Sequence, residues 1–83
     1  MAKIVHLYAL STCGWCRKAK TFLEDNHIDY TCDDVDLLDG DDKQRAKEAL
    51  ERVNPRRSYP TFVIDEKVVV GFDEEKLKIL LCL

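Results

Sequence analysis

Glycine, proline and long apolar runs are all scarce in this chain. Three glycines and two prolines in 83 residues are too few for a linker-rich or disordered chain. A membrane-spanning helix needs about 20 consecutive apolar residues, and no segment of the sequence resembles one. Base is not in excess either. The formal net charge is −3, so the broad basic footprint of a nucleic-acid binder is missing. The opening stretch Met1-Ala2-Lys3-Ile4-Val5-His6-Leu7-Tyr8-Ala9-Leu10 is too short and mixed for an export signal. These absences predict a soluble cytoplasmic protein with no nucleic-acid or membrane partner.

What is present fits one small globular domain. Hydrophobic residues make up 46% and charged residues 35% of the chain, ordinary proportions for a packed domain, and the length allows a single modest core. Charge is unevenly distributed. Asp33, Asp34, Asp36, Asp39, Asp41 and Asp42 cluster, whereas bases gather behind a cysteine pair at Arg17-Lys18 and again at Arg56-Arg57. That polarity predicts a basic working face. Four cysteines in a chain without an export signal are not expected to form a structural disulfide framework.

The order of elements can be read from the spacing of apolar residues. Lys3 to Leu10 is a nearly continuous apolar run, the pattern of a strand buried on both faces. Ser11-Thr12 offers two helix-capping residues, after which Cys16, Ala19, Phe22 and Leu23 recur at helical spacing. Lys18, Lys20, Glu24 and Asp25 fall on the opposite, solvated side of that helix. Ile28, Tyr30 and Cys32 alternate as a second strand continuing towards Val35 and Leu37. A second helix follows the acidic turn at Asp39-Gly40-Asp41-Asp42, with Ala46, Leu50 and Val53 inward, and stops at Asn54-Pro55. Tyr59-Pro60 opens a third strand through Ile64, and Asp65-Glu66 turns into a fourth, Lys67 to Val70. Gly71 ends it, and Asp73 can cap a last helix carrying Leu77, Leu80 and Leu81. The order β-α-β-α-β-β-α predicts two parallel strands joined by a helix and a terminal hairpin.

The chemistry concentrates in Cys13-Gly14-Trp15-Cys16. Cys13 falls where the first strand gives way to the first helix, and carboxyl ends of parallel strands are where such sheets place their sites. Free N–H groups and the positive end of the helix dipole favour thiolate over thiol there. Cys13 is therefore the expected nucleophile. Cys16, one turn further, is the expected resolving thiol, able to attack a mixed disulfide formed at Cys13. Arg17 and Lys18 oppose the dipole preference, either as exposed cations of little consequence or as a source of positive potential for the thiolate. A zinc site needs a second pair of ligands, and Cys32, Cys82, His6 and His27 are each isolated in the sequence. Structural roles are expected for all four. A copper clip would also begin a helix with CxxC, but in a different element order.

Cys13-Gly14-Trp15-Cys16 after a first strand, Tyr59-Pro60-Thr61 before a hairpin and Val70-Gly71-Phe72-Asp73 before the last helix together resemble the glutaredoxins. The resemblance spans residues 1–83 as one domain and implies an α/β thioredoxin-like fold, a four-stranded mixed sheet flanked by helices. It implies a thiol–disulfide oxidoreductase, monomeric, with no tightly bound cofactor and with glutathione as cosubstrate. It also implies a cis Tyr59–Pro60 bond beside the cysteines, where the Tyr59 backbone can pair with an extended substrate. Asp73 would accept the γ-glutamyl ammonium of glutathione, or serve only as an N-cap. Gly71 matches a glycine of the family's glutathione site, and Arg57 or Lys18 would meet the glycyl carboxylate. Trp15 would be either a flat platform for substrate or a packing residue.

Phe72, where glutaredoxins carry a small residue, is similar instead to glutaredoxin-like redoxins that take electrons from thioredoxin reductase. Those redoxins serve ribonucleotide reductase. The electron donor, glutathione or a thioredoxin-reductase-type protein, stays open, and the expected partners are disulfide-containing proteins. An alternative function is an iron–sulfur carrier, a glutathione-assisted dimer that Gly14 permits, although the retained Cys16 suits dithiol exchange better.

Overall fold

The computed structural model describes residues 3–83. Met1 and Ala2, which open the stretch considered above as an export signal, lie outside them. Four strands and three helices follow the expected order: β1 (Val5–Ala9), α1 (Gly14–Asp25), β2 (Thr31–Asp34), α2 (Gly40–Val53), β3 (Thr61–Ile64), β4 (Lys67–Val70) and α3 (Glu74–Leu80). The sheet order is β2-β1-β3-β4. β1 runs parallel to β2, with Leu7 opposite Cys32 and Ala9 opposite Asp34. It runs antiparallel to β3, with Leu7 opposite Phe62 and Tyr8 opposite Thr61. β3 and β4 form the hairpin, with Thr61 opposite Val70. The sheet is therefore mixed, with the apolar β1 at its centre.

Alternation along the strands divides the core into two layers. Val5, Leu7 and Ala9 of β1, Phe62 and Ile64 of β3 and Val69 of β4 belong to one buried cluster. Cys16, Ala19, Phe22 and Leu23 of α1, with Leu77 of α3 and Leu81 just beyond it, complete that cluster. Fully burying a side chain such as Leu7, Leu23 or Phe62 stabilises the fold by about 1.5–3 kcal/mol each. On the other face, Asn54 at the C-terminal end of α2 donates through Nδ2 to Thr61 Oγ1 at 3.0 Å. The buried stripe of α2, Ala46 and Leu50, lies outside the first cluster, and that bond places α2 against the Tyr8–Thr61 side of the sheet.

Several boundaries differ from the sequence reading, for local reasons. β1 is Val5–Ala9 rather than Lys3–Leu10, because Leu10 turns away to donate its N–H towards Cys16. β2 begins at Thr31. Ile28 and Tyr30 still pack against the core, but Ile28 donates its N–H to Leu23 O at 2.9 Å and belongs to the end of α1. Val35–Leu37 is a single 3-10 turn, not more strand. His27 lies one residue past the cap of α1, at φ 56°. Its N–H reaches Glu24 O while the Ile28 N–H reaches Leu23 O, which is a Schellman closure with His27 in the left-handed position. α3 ends the same way, with Cys82 at φ 58° and the Leu83 N–H on Lys78 O at 2.8 Å.

Candidate active site

The junction of β1 and α1 is built around Cys13. Ser11 and Thr12 do not cap the helix. Cys13 does, with extended backbone at φ −87° and ψ 122°, and its sulfur accepts the Cys16 N–H at 3.4 Å. Ser11 is occupied elsewhere: its N–H donates to Asp36 Oδ1 at 2.8 Å and its hydroxyl to Asp36 Oδ2. These bonds tie the cysteine loop to the 3-10 turn after β2. They hold the Asp36 carboxyl below its usual range. Asp36, one of the clustered acids, is thereby tied to the cysteine loop.

The two thiols occupy opposite environments. Cys13 is partly exposed, whereas Cys16 is 1% exposed inside the main cluster. Burial alone would push the Cys13 thiol up. Hydrogen bonds from the Cys16 thiol, the Cys16 N–H and the Trp15 N–H outweigh it, and the Cys13 pKa falls below the ordinary cysteine value. Arg17 and Lys18 are not among the causes of that lowering, which favours the reading of both as exposed cations of little consequence. Cys16 is pushed up to about 12, first by burial and then by its hydrogen bond to Cys13 and the Cys13 charge. The Leu10 N–H, donated to Cys16 Sγ at 3.5 Å, and the nearby Lys20 cation oppose that rise. One thiol is poised as thiolate and the other holds its proton.

The residues around this pair come from α1 itself and from two further segments. The Tyr59–Pro60 peptide is cis, as the resemblance implied. Pro60 is fully buried, and Tyr59 is half-buried against the main cluster. Burial raises the Tyr59 phenol, Arg57 opposes the rise, and the negative forms of Cys16 and Asp36 add to it, so the ring lies within electrostatic reach of the resolving cysteine. The Gly71 N–H donates to Pro60 O at 2.7 Å, joining the end of β4 to the proline loop. Gly71 has φ +80°, a left-handed conformation for which glycine carries no steric cost. The next residue, Phe72, turns back on α1. Its ring meets Phe22 edge-on at 5.7 Å and lies 6.4 Å from Trp15. Trp15 is 58% exposed, and Lys18 Nζ sits 4.5 Å from its ring centroid, a cation–π contact.

Contacts thus link Cys13 to Cys16, Lys18 to Trp15, Trp15 to Phe72 and Gly71 to Pro60, with Cys16 and Pro60 buried and Trp15 and Lys18 exposed. Arg57 and Asp73 stand outside these contacts. Arg57 is exposed, at φ 52°, with its N–H on Asn54 O. Asp73 caps α3, its Oδ1 accepting the Lys76 N–H at 3.2 Å. His6 is structural, its ring bonded to Thr31 Oγ1 at 2.6 Å and Asp33 Oδ2 at 3.1 Å. Cys32 packs against the main cluster, and burial and Asp34 push its thiol up to about 11.

Three supporting residues were not legible as such. Asp36 anchors the cysteine loop. Asn54, 4% exposed, donates through Nδ2 to Ser58 Oγ and Thr61 Oγ1 and accepts the Arg56 N–H, fixing the loop that carries Tyr59. Lys20 is not on a solvated face; its Nζ donates to both oxygens of Asp34, at 2.8 and 3.1 Å. The one sequence signal for Lys20 is its place four residues after Cys16.

A dithiol at the first strand–helix junction of a four-stranded mixed sheet with three helices defines a thioredoxin-like dithiol protein. The model of the glutaredoxin family matches residues 5–69, and the chain belongs to that family. It is 31% identical over 74 residues to a glutaredoxin-like 8.6 kDa protein of the rubredoxin operon of Clostridium pasteurianum, covering 89% of this chain and 92% of that protein. Among solved structures, it superposes on the methanoredoxin of Methanosarcina acetivorans with a TM-score of 0.91 at 40% identity, covering 95% of this chain and 84% of that one. The glutaredoxin of Methanosarcina mazei Go1 gives 0.89 at 42% identity, covering 96% and 79%. Thiol–disulfide oxidoreductase activity is the general function of such a protein. No helix among the described residues is long and apolar enough to cross a membrane.

Proposed function

We propose that the protein reduces protein disulfides and glutathione mixed disulfides through Cys13 and Cys16, with glutathione as cosubstrate. The Cys13 thiolate attacks one sulfur of the target disulfide, a Cys13–target bond forms, and the departing target sulfur takes a proton. Cys16 then gives up its proton and attacks the Cys13 sulfur. The second target thiolate leaves and is protonated in turn, and Cys13–Cys16 is left as a disulfide. Two electrons have passed to the target, and two glutathiones, oxidised to their own disulfide, restore the dithiol. The observation that carries this reading is the contrast between the thiols: Cys13 is partly exposed and lowered, Cys16 buried and raised to about 12.

The surrounding groups support roles in binding. The exposed Trp15 ring, backed by Phe72, offers an apolar platform beside the nucleophile. The Tyr59 backbone, ahead of the cis Pro60, would pair with an extended target segment. Arg57 and Lys18 would meet the glycyl carboxylate of glutathione and Asp73 its ammonium. One observation favours a second donor: the Phe72 ring packs between Trp15 and Phe22, filling space that a small residue would leave to glutathione. A protein donor of the thioredoxin-reductase type would dock on that aromatic surface instead.

Disulfide reduction by the purified protein, coupled to glutathione and glutathione reductase, tests the proposal. Rapid turnover supports glutathione as cosubstrate. No turnover, from protein that does form the Cys13–Cys16 disulfide, moves the donor to a thioredoxin reductase. Protein that forms no such disulfide on oxidation overturns the dithiol mechanism.

A further inference from the structure

Resolution of a mixed disulfide requires Cys16 to lose a proton from a buried site, and burial opposes that loss. The groups facing Cys16 are few. From α1 itself come Cys13 and Lys20, from the loop after β1 the Leu10 N–H, and from the loop before β3 the Tyr59 phenol. Lys20 follows Cys16 by four residues in α1, so the two lie on the same helix face one turn apart. A lysine side chain is normally mobile, but this one is held. Its Nζ bonds both Asp34 oxygens, and both side chains keep little more than a quarter of their surface exposed (29% and 26%). Asp34 is itself fixed by the sheet, since it stands opposite Ala9 in the parallel register. The residue after Ala9 is Leu10, the donor to Cys16 Sγ. The carboxyl ends of β1 and β2 thus carry both the N–H aimed at the resolving sulfur and the carboxylate that anchors the nearby cation.

We propose that Lys20, anchored by Asp34, is a positioning residue that stabilises the Cys16 thiolate as it forms in the resolving step. This rests on the dithiol reading above. In the reduced protein the Cys13 charge and the hydrogen bond to Cys13 hold the proton on Cys16. Once Cys13 is bonded to a target sulfur, both of those influences disappear. The Leu10 N–H and the Lys20 cation remain, so their share of the electrostatics is largest at the moment the proton must leave. The bond to Asp34 raises the Lys20 pKa further, so the ammonium stays charged throughout. Cys32 shares the anchor, its Sγ 4.0 Å from Asp34 Oδ1. Pushed up to about 11 by burial, it stays protonated at neutral pH and does not compete for the cation.

The test is stopped-flow reaction of the reduced protein with Ellman's reagent, in a Cys32→Ala/Cys82→Ser background that removes the other two thiols that are not fully buried. Cys13 releases the first thionitrobenzoate and Cys16 the second, so the two steps appear as separate phases. Lys20→Met should slow the second phase at neutral pH by about three- to tenfold, the effect of one partly screened charge. It should also move the pH profile of that phase upward, leave the first phase within about twofold, and be recovered by Lys20→Arg, since arginine restores the charge. An unchanged second phase, equal slowing of both phases, or no recovery by arginine overturns the proposal. Should Lys20→Met fail to fold with Asp34 unpaired, the double variant Lys20→Met/Asp34→Asn is measured and held to the same outcomes for the two phases. A parent protein that releases only one thionitrobenzoate refutes the dithiol mechanism itself, a result distinct from failure of the lysine.

Discussion

Removing the Cys16 side chain should raise the Cys13 titration, although Cys16 is the resolving partner rather than the nucleophile. Three donors hold Cys13 below its ordinary range: the Cys16 thiol, the Cys16 N–H at 3.4 Å and the Trp15 N–H. Cys16→Ala deletes the first and keeps the two backbone donors. A hydrogen bond to a charged acceptor contributes about 1.5–3 kcal/mol. Cys13 is partly exposed, so solvent screening reduces that to about half. The thiolate fraction below the titration midpoint should then fall about three- to tenfold, each tenfold step being about 1.4 kcal/mol. Thiolate ultraviolet absorbance against pH, with the signal of a Cys13→Ser protein subtracted, reads this directly. Alkylation rates should fall by less, because a more basic thiolate is intrinsically more nucleophilic. Cys16→Ser keeps an O–H donor and should stay close to the parent. The reasoning is refuted if the alanine protein titrates like the parent, since the lowering would then lie in the helix terminus alone. Equal rises in the serine and alanine proteins would also refute it, because burial and not hydrogen bonding would then be the variable.

Three further outcomes are expected. His27→Gly should raise the free energy of unfolding in urea by about 0.5–1 kcal/mol, because it removes the Cβ cost of the left-handed position closing α1; a loss of stability would show that the histidine ring contributes more than its backbone costs. Asn54→Ala should lower stability by about 1–3 kcal/mol, since a buried amide serving Ser58, Thr61 and the Arg56 N–H is lost, and it should raise KM as the Tyr59 loop loosens; an unchanged KM would detach that loop from substrate binding. Trp15→Ala should raise KM for a protein disulfide about three- to tenfold, in the range of a lost aromatic contact, without changing the Cys13 thiolate absorbance. Equal changes in both would make Trp15 a structural part of the loop.

What could be read in advance depended on whether a residue's role was local. Strand and helix identities are written in period and punctuation: the apolar run of β1, the i, i+4 stripe of α2 and the Asp65-Glu66 turn all concern neighbours in sequence. The reactive cysteine was equally local, because a strand–helix junction supplies N–H donors whatever surrounds it. Ser11 shows where that logic fails. Its hydroxyl is a good helix cap, but Asp36, 25 residues away, binds both its N–H and its side chain, and Cys13 takes the cap instead.

The same distinction explains why Lys20 was misplaced and what its place implies. On a helical wheel it falls between the inward Cys16 and the exposed Glu24, and the β1–β2 register brings Asp34 within 2.8 Å of its ammonium. A pair made by register depends on the sheet, not on the helix that carries the lysine. The nucleophile is therefore tuned by groups within one turn of its own chain, whereas the resolving cysteine also feels the Leu10 N–H beyond β1 and a Lys20 cation that Asp34 of β2 anchors. Changes to the helix terminus should act mainly on the first exchange step, and changes to β2 mainly on the second. The two half-reactions of one small dithiol are in this way adjustable by different parts of the fold.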